Sequence, residues 1–129
     1  MRVIGLHGQE MTLNFNKSGT RKNASSYHTK ARELLNDYFS LEVIYEELGI
    51  PGTLLTLDFF IPRYKVAVEV QGEQHYKFIG HFHKNKLEFY RAKKRDQDKR
   101  NWCEVNNFDL IEFPYNEDKN EWLTRIQER

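Results

Sequence analysis

The feature that most constrains this chain is a pair of apolar runs separated by a proline. Leu54 to Ile61 and Lys65 to Gln71 are both rich in β-branched, aromatic and aliphatic residues, the composition of strands. Pro62 lacks a ladder donor and opens a turn between them. Along a strand, alternate side chains point to opposite faces. One face of the first run would carry Leu55, Leu57, Phe59 and Ile61, and one face of the second Val66, Val68 and Val70. If both sets share a buried face, the loop must hold an even number of residues, since a one-residue slip turns every side chain over. A loop from Pro62 to Lys65 meets this condition and sets Ile61 opposite Val66. The same register sets Asp58 opposite Glu69, with Gln71 two residues along on the same face.

Directly opposed residues have Cβ atoms about 4.5–5.5 Å apart, so the burial requirement alone brings two carboxylates together. Such a pair repels unless a cation compensates it or one member takes a proton. A hard divalent cation is the simplest compensation, with oxygen ligands at about 2.0–2.1 Å for Mg²⁺. The alternative is a solvated face with two unrelated acids.

Asp58 followed by Glu69-Val70-Gln71 resembles the core of the PD-(D/E)xK nuclease superfamily, with Gln71 in the lysine position. The continuation Gly72-Glu73-Gln74-His75-Tyr76 is similar to the subgroup around very-short-patch repair endonucleases and related phage and homing endonucleases. The likeness runs from about Ala31 to Phe113. It departs in two places: no proline directly precedes Asp58, and Gln71 replaces the usual lysine.

The resemblance implies a restriction-endonuclease-like α/β fold, a mixed sheet of about four strands flanked by helices. It implies Mg²⁺- or Mn²⁺-dependent hydrolysis of phosphodiesters in DNA; within that reading, a chain this small has little room for a separate sequence-reading domain, which favours nicking, structure-selective cutting or a homodimer. Asp58, Glu69 and a main-chain carbonyl near Val70 would hold the ion. Gln71 would orient water, since an amide cannot serve as a general base. His75 would orient water, protonate the leaving oxygen or contact phosphate; the alternative is a structural histidine beside Tyr76. Arg95-Asp96-Gln97-Asp98-Lys99 matches a similar segment of the subgroup, so Lys99 or Lys94 would supply the missing positive charge, with an Asp96–Lys99 surface pair as the bland alternative. Glu33, on the first helix, either approaches the metal or stays on the surface. Very-short-patch enzymes carry a structural zinc site, and one cysteine, Cys103, cannot build it, so no zinc is expected. A degenerate nuclease fold that binds nucleic acid without cutting it is the alternative function, and an interaction protein whose acidic hairpin is incidental is a third.

Charge distribution points to the same partner. The net charge is only +1, but the basic residues come in blocks. Lys17, Arg21 and Lys22 lie in the first, and Lys84, Lys86, Arg91, Lys93, Lys94, Arg95, Lys99 and Arg100 in the second. Together they would form a phosphate-binding surface around an acidic site. A solvated helix of mixed charge is the competing reading of the second block. No apolar run approaches the roughly 20 residues of a membrane span, and the start is too short for a secretory apolar region. With a lone cysteine, this suggests the reducing cytoplasm of a bacterial or phage-infected cell.

The rest follows in order. Residues 1–24 read as an irregular arm that would order on nucleic acid, exchange with a second subunit or stay a loose terminus, and 25–129 as a single nuclease-like domain. Ser25 or Ser26 caps a helix to about Phe39 with a stripe of Tyr27, Ala31, Leu34, Leu35 and Tyr38. Leu41 to Leu48 reads as a strand. The His81–His83 pair falls in a loop, Lys86 to about Val105 is a long helix, and Phe108 to Phe113 is a strand added in parallel by a crossover. A last helix runs from Glu117 to Gln127, capped by Asn116.

Overall fold

A computed structural model describes residues 1–73, 80 and 85–129. The expectations for His75, Lys84 and the His81–His83 pair lie outside the described residues. The central sheet has four strands in the order β3-β4-β5-β6. These are β3 (Tyr45–Gly49), β4 (Thr56–Ile61), β5 (Val66–Gln71) and β6 (Asp109–Pro114). The first three form an antiparallel meander, and β6 joins β5 in parallel along its whole length. The connection between β5 and β6 contains the long helix α2 (Lys86–Val105). Helices α1 (Ser26–Tyr38) and α3 (Lys119–Gln127) complete the mixed α/β fold. No helix among the described residues is long and apolar enough to cross a membrane.

The β4–β5 turn follows from its sequence. Pro62 starts a 3-10 turn, Pro62–Tyr64, and Lys65 closes it in the left-handed region at φ 53°. Four residues are consumed, and Ile61 pairs with Val66. On one face Phe59, Ile61, Val66 and Val68 join Ile111 and Phe113 against Ala31, Leu35, Trp122 and Ile126 of α1 and α3. The rings of Phe113 and Trp122 stack at 4.6 Å. Burial of each of the larger aliphatic and phenyl side chains contributes about 1.5–3 kcal/mol.

The other face departs from strict alternation. Leu57 lies with Phe60, Ala67 and Leu48 against Trp102, Cys103 and Phe108, not with Phe59 and Ile61, and Leu55 packs on the same second cluster. Pairing of β3 with β4 keeps one register on both sides of this break, from Tyr45↔Phe60 to Gly49↔Thr56. Glu47, between those pairs, has φ 54°, a left-handed conformation uncommon in a non-glycine residue. The two strands therefore turn over together at Glu47 and Asp58, and the expected four-residue stripe is split between two cores.

The N-terminal segment is not wholly irregular. β1 (Arg2–Ile4) and β2 (Glu10–Thr12) pair antiparallel, and Val3 and Leu13 are buried beside the end of α2. Asn106 fixes this hairpin to the domain: its side chain accepts from Ile4 N at 2.7 Å and donates to Ile4 O at 2.9 Å. Three-residue strands are too short for periodicity to reveal. Beyond them, the arm runs along β3, with Gly19 N donating to Glu46 O and Gly49 N to Lys17 O. Two other boundaries shift. Leu41 and Val43 are exposed ahead of β3, and Asp118 rather than Asn116 caps α3 by accepting from Glu121 N.

Candidate active site

β4 and β5 pair only from Phe59↔Val68 to Ile61↔Val66, then fork. Each strand stays held on its outer side, β4 by β3 and β5 by β6. In the fork, side chains replace the ladder. Asp58 N donates to Glu69 Oε2 at 2.7 Å, and Val70 N donates to Asp58 Oδ2 at 2.8 Å. The expected juxtaposition of the two acids is thus present, and each acid satisfies an amide that the divided sheet would leave unpaired.

The outward oxygens meet cations. Lys99 Nζ, from α2, lies 2.6 Å from Glu69 Oε1. Arg21 Nη2, from the arm, lies 2.8 Å from Asp58 Oδ1 and also contacts Glu47. Burial first, and the Asp58 charge second, push the Glu69 carboxyl up to about 8, against the opposing pull of Lys99 and the Asp58 amide. Burial acts to lower the Lys99 ammonium, but the charge and hydrogen bond of Glu69, with Asp58 and Asp96, outweigh it and raise it above the usual lysine range.

A second charged cluster adjoins the first. Glu46 accepts from Arg32 Nε and Nη2 at 3.0 and 2.6 Å and from Arg21 N at 3.2 Å. His28 Nε2 is 2.7 Å from Glu46 Oε1, and the His28 ring stacks on Phe59 at 4.7 Å. Burial tends to raise Glu46, yet the bonds from Arg32, His28 and Arg21 hold it down at about 2. Sequence reasoning assigned His28, Arg32, Glu46 and Glu47 no role. The alternation of Tyr45 with Glu46 marked a half-buried acid on β3, but nothing local names its partners on α1.

Gln71 is buried at the end of β5 on the side of Glu69, paired in the sheet with Pro114. Asp96 acts on Lys99 through its charge. Two proposed members lie elsewhere: Glu33 is exposed and accepts from Lys119 at 3.1 Å, and Lys94 is exposed and pairs with Asp98 at 3.0 Å. Lys99 alone of the two candidate lysines reaches the acids. Lys17, Lys22, Lys86, Arg91, Lys93 and Arg95 are exposed, while Arg21 is turned into the site.

Arg21, Tyr27, His28, Asp58, Glu69 and Lys99 line a cavity of about 430 Å³. A larger cavity of about 690 Å³, between the N-terminal hairpin and the β3–β4 connection, contains no carboxylate. The two carboxylates are oxygen donors of the kind a hard divalent ion takes, and in this structure their outward oxygens are bound to Arg21 and Lys99. Among the described residues, no three histidine, cysteine or acidic side chains converge on one metal position.

No family model matches this chain, and no solved structure matches it. It is similar to three viral proteins. Over 61 residues, 47% of this chain and 31% of the relative, it is 52% identical to a protein of Invertebrate iridescent virus 6 named "Uncharacterized protein 307L". It is 42% identical over 66 residues to "Uncharacterized protein 033L" of Invertebrate iridescent virus 3, covering 51% of this chain and 34% of the relative. It is 38% identical over 65 residues to "Uncharacterized protein 094L" of Frog virus 3 (isolate Goorha), covering 50% and 42%. The matched stretch spans between about a third and two fifths of these curated relatives.

Proposed function

We propose that this chain is a metal-dependent nuclease of the PD-(D/E)xK type, acting on DNA. One observation carries the reading: the buried Asp58–Glu69 pair at the β4–β5 fork, joined by Lys99. Asp58, Glu69 and a main-chain oxygen at Val70 would hold Mg²⁺ or Mn²⁺. When bound, the ion would polarise the scissile phosphate and favour deprotonation of the attacking water. Lys99 takes the place of the lysine that Gln71 displaces, arriving from α2 rather than from β5. Its ammonium, fixed in a water-poor site, would stabilise charge developing on phosphorus. Gln71 would orient water. Lys86, Arg91, Lys93 and Arg95, with Lys17 and Lys22, would hold the DNA backbone by counterion release.

The test is cleavage of supercoiled plasmid, single strands and a branched junction with Mg²⁺, Mn²⁺ or EDTA. The expected result is metal-dependent cutting that falls by about a hundredfold or more in Asp58→Asn. A second reading, a nuclease fold that binds DNA without cutting it, is favoured by Gln71 and by the partners already on all four carboxylate oxygens. Intact DNA binding with no cutting by the wild type would select it.

A further inference from the structure

Two cations serve the acid pair, and they differ in freedom. The Lys99 side chain is 17% exposed and closes on Glu69 from within the fold. The Arg21 side chain is 37% exposed and reaches Asp58 from solvent. Its backbone is tied to β3: Arg21 N donates to Glu46 Oε1 at 3.2 Å and Gly19 N donates to Glu46 O at 2.9 Å. The guanidinium bridges Asp58 and Glu47, two acids on neighbouring strands, and Glu47 takes its left-handed backbone at this point. A planar cation spanning two carboxylates supplies the charge and some of the hydrogen-bonding that a small ion would supply.

We propose that Arg21 is a displaceable resident cation: its guanidinium holds Asp58 in the ion-free protein and must leave before a divalent ion binds. Arg21 thereby sets the affinity of the site for metal. This rests on the reading of Asp58 and Glu69 as ion-binding acids. Loss of a charge-assisted hydrogen bond of this kind corresponds to about 10- to 100-fold in an equilibrium constant.

The experiment is calorimetric titration of Mn²⁺ into the full chain without nucleic acid, for wild type, Arg21→Gln, Arg21→Lys and Asp58→Asn, each checked by thermal melting. Arg21→Gln is expected to bind Mn²⁺ about 10- to 100-fold more tightly than wild type. Arg21→Lys keeps the charge without the planar fork and falls between them; it keeps the test decisive if Arg21→Gln does not fold. Asp58→Asn binds most weakly. Asp58-dependent binding that is no tighter in either Arg21 variant overturns the role of Arg21 and leaves the acid pair as an ion site. Absence of Asp58-dependent binding in every variant overturns the ion-binding reading itself, and this inference with it.

Discussion

Lys99 Nζ lies 2.6 Å from Glu69 Oε1, across 30 residues of sequence. Glu69 is almost wholly enclosed, so the ammonium is what allows it to be ionised there. Truncating one partner of a buried pair leaves the other uncompensated. Lys99→Met is therefore expected to cost about 3 kcal/mol of stability in urea unfolding at pH 8.5. The cost should shrink at pH 6, where Glu69 takes up a proton. An equal loss at both pH values would contradict the pairing.

The raised Glu69 carboxyl also gives the wild type a pH signature. Its folded value, about 8, stands above the ordinary 4.5, so the folded state binds the extra proton between those limits. Stability from this group is complete below about pH 4.5 and is lost as pH rises through 8, with a slope of at most about 1.4 kcal/mol per pH unit. Glu69→Gln should flatten that decline in chemical denaturation followed from pH 5 to 9.

Glu46 has the opposite sign. Held at about 2, it contributes stability that is present above pH 4.5 and disappears as pH falls towards 2. Glu46→Gln should remove this acid-side loss while leaving the alkaline decline of Glu69 intact. Melting curves of the two variants would separate the clusters.

Much of this geometry could be read from residues alone. The even loop after Ile61 determined the β4–β5 register and so the meeting of Asp58 with Glu69. The parallel placement of β6 followed from a long helix between two strands. Three things escaped. The β1–β2 hairpin is too short to show a period. The split of Leu57 from Phe59 falls at the level of the left-handed backbone of Glu47 on the neighbouring strand, which no residue-type preference signals. Arg21 read as one of several basic residues in an arm, because its approach to Asp58 depends on how that arm runs along β3.

The exposed basic side chains of α2 give a separate test. Arg91→Glu with Arg95→Glu should weaken DNA binding about equally for all sequences. The dependence of log affinity on log salt should become shallower by about 0.9 for each phosphate that is no longer neutralised. An unchanged salt slope would place the DNA elsewhere.

Cys103 offers an internal gauge of folding. It is 1% exposed, and burial, then the Glu69 charge, push its thiol up to about 12 against Lys99. The thiolate is the reactive form, so the native protein should resist a thiol-specific reagent at pH 8 and react once denatured.

The fork between β4 and β5 has a consequence for assembly. Its two acids belong to a hairpin whose strands are separated by four residues, a local pairing that closes at small entropic cost. Their lysine belongs to the crossover that must close before β6 can dock. A chain stopped short of α2 would carry the acids without that counter-charge. The finished site is thus a property of the closed topology: a species lacking the crossover would keep Arg21 beside Asp58 but leave Glu69 without its lysine.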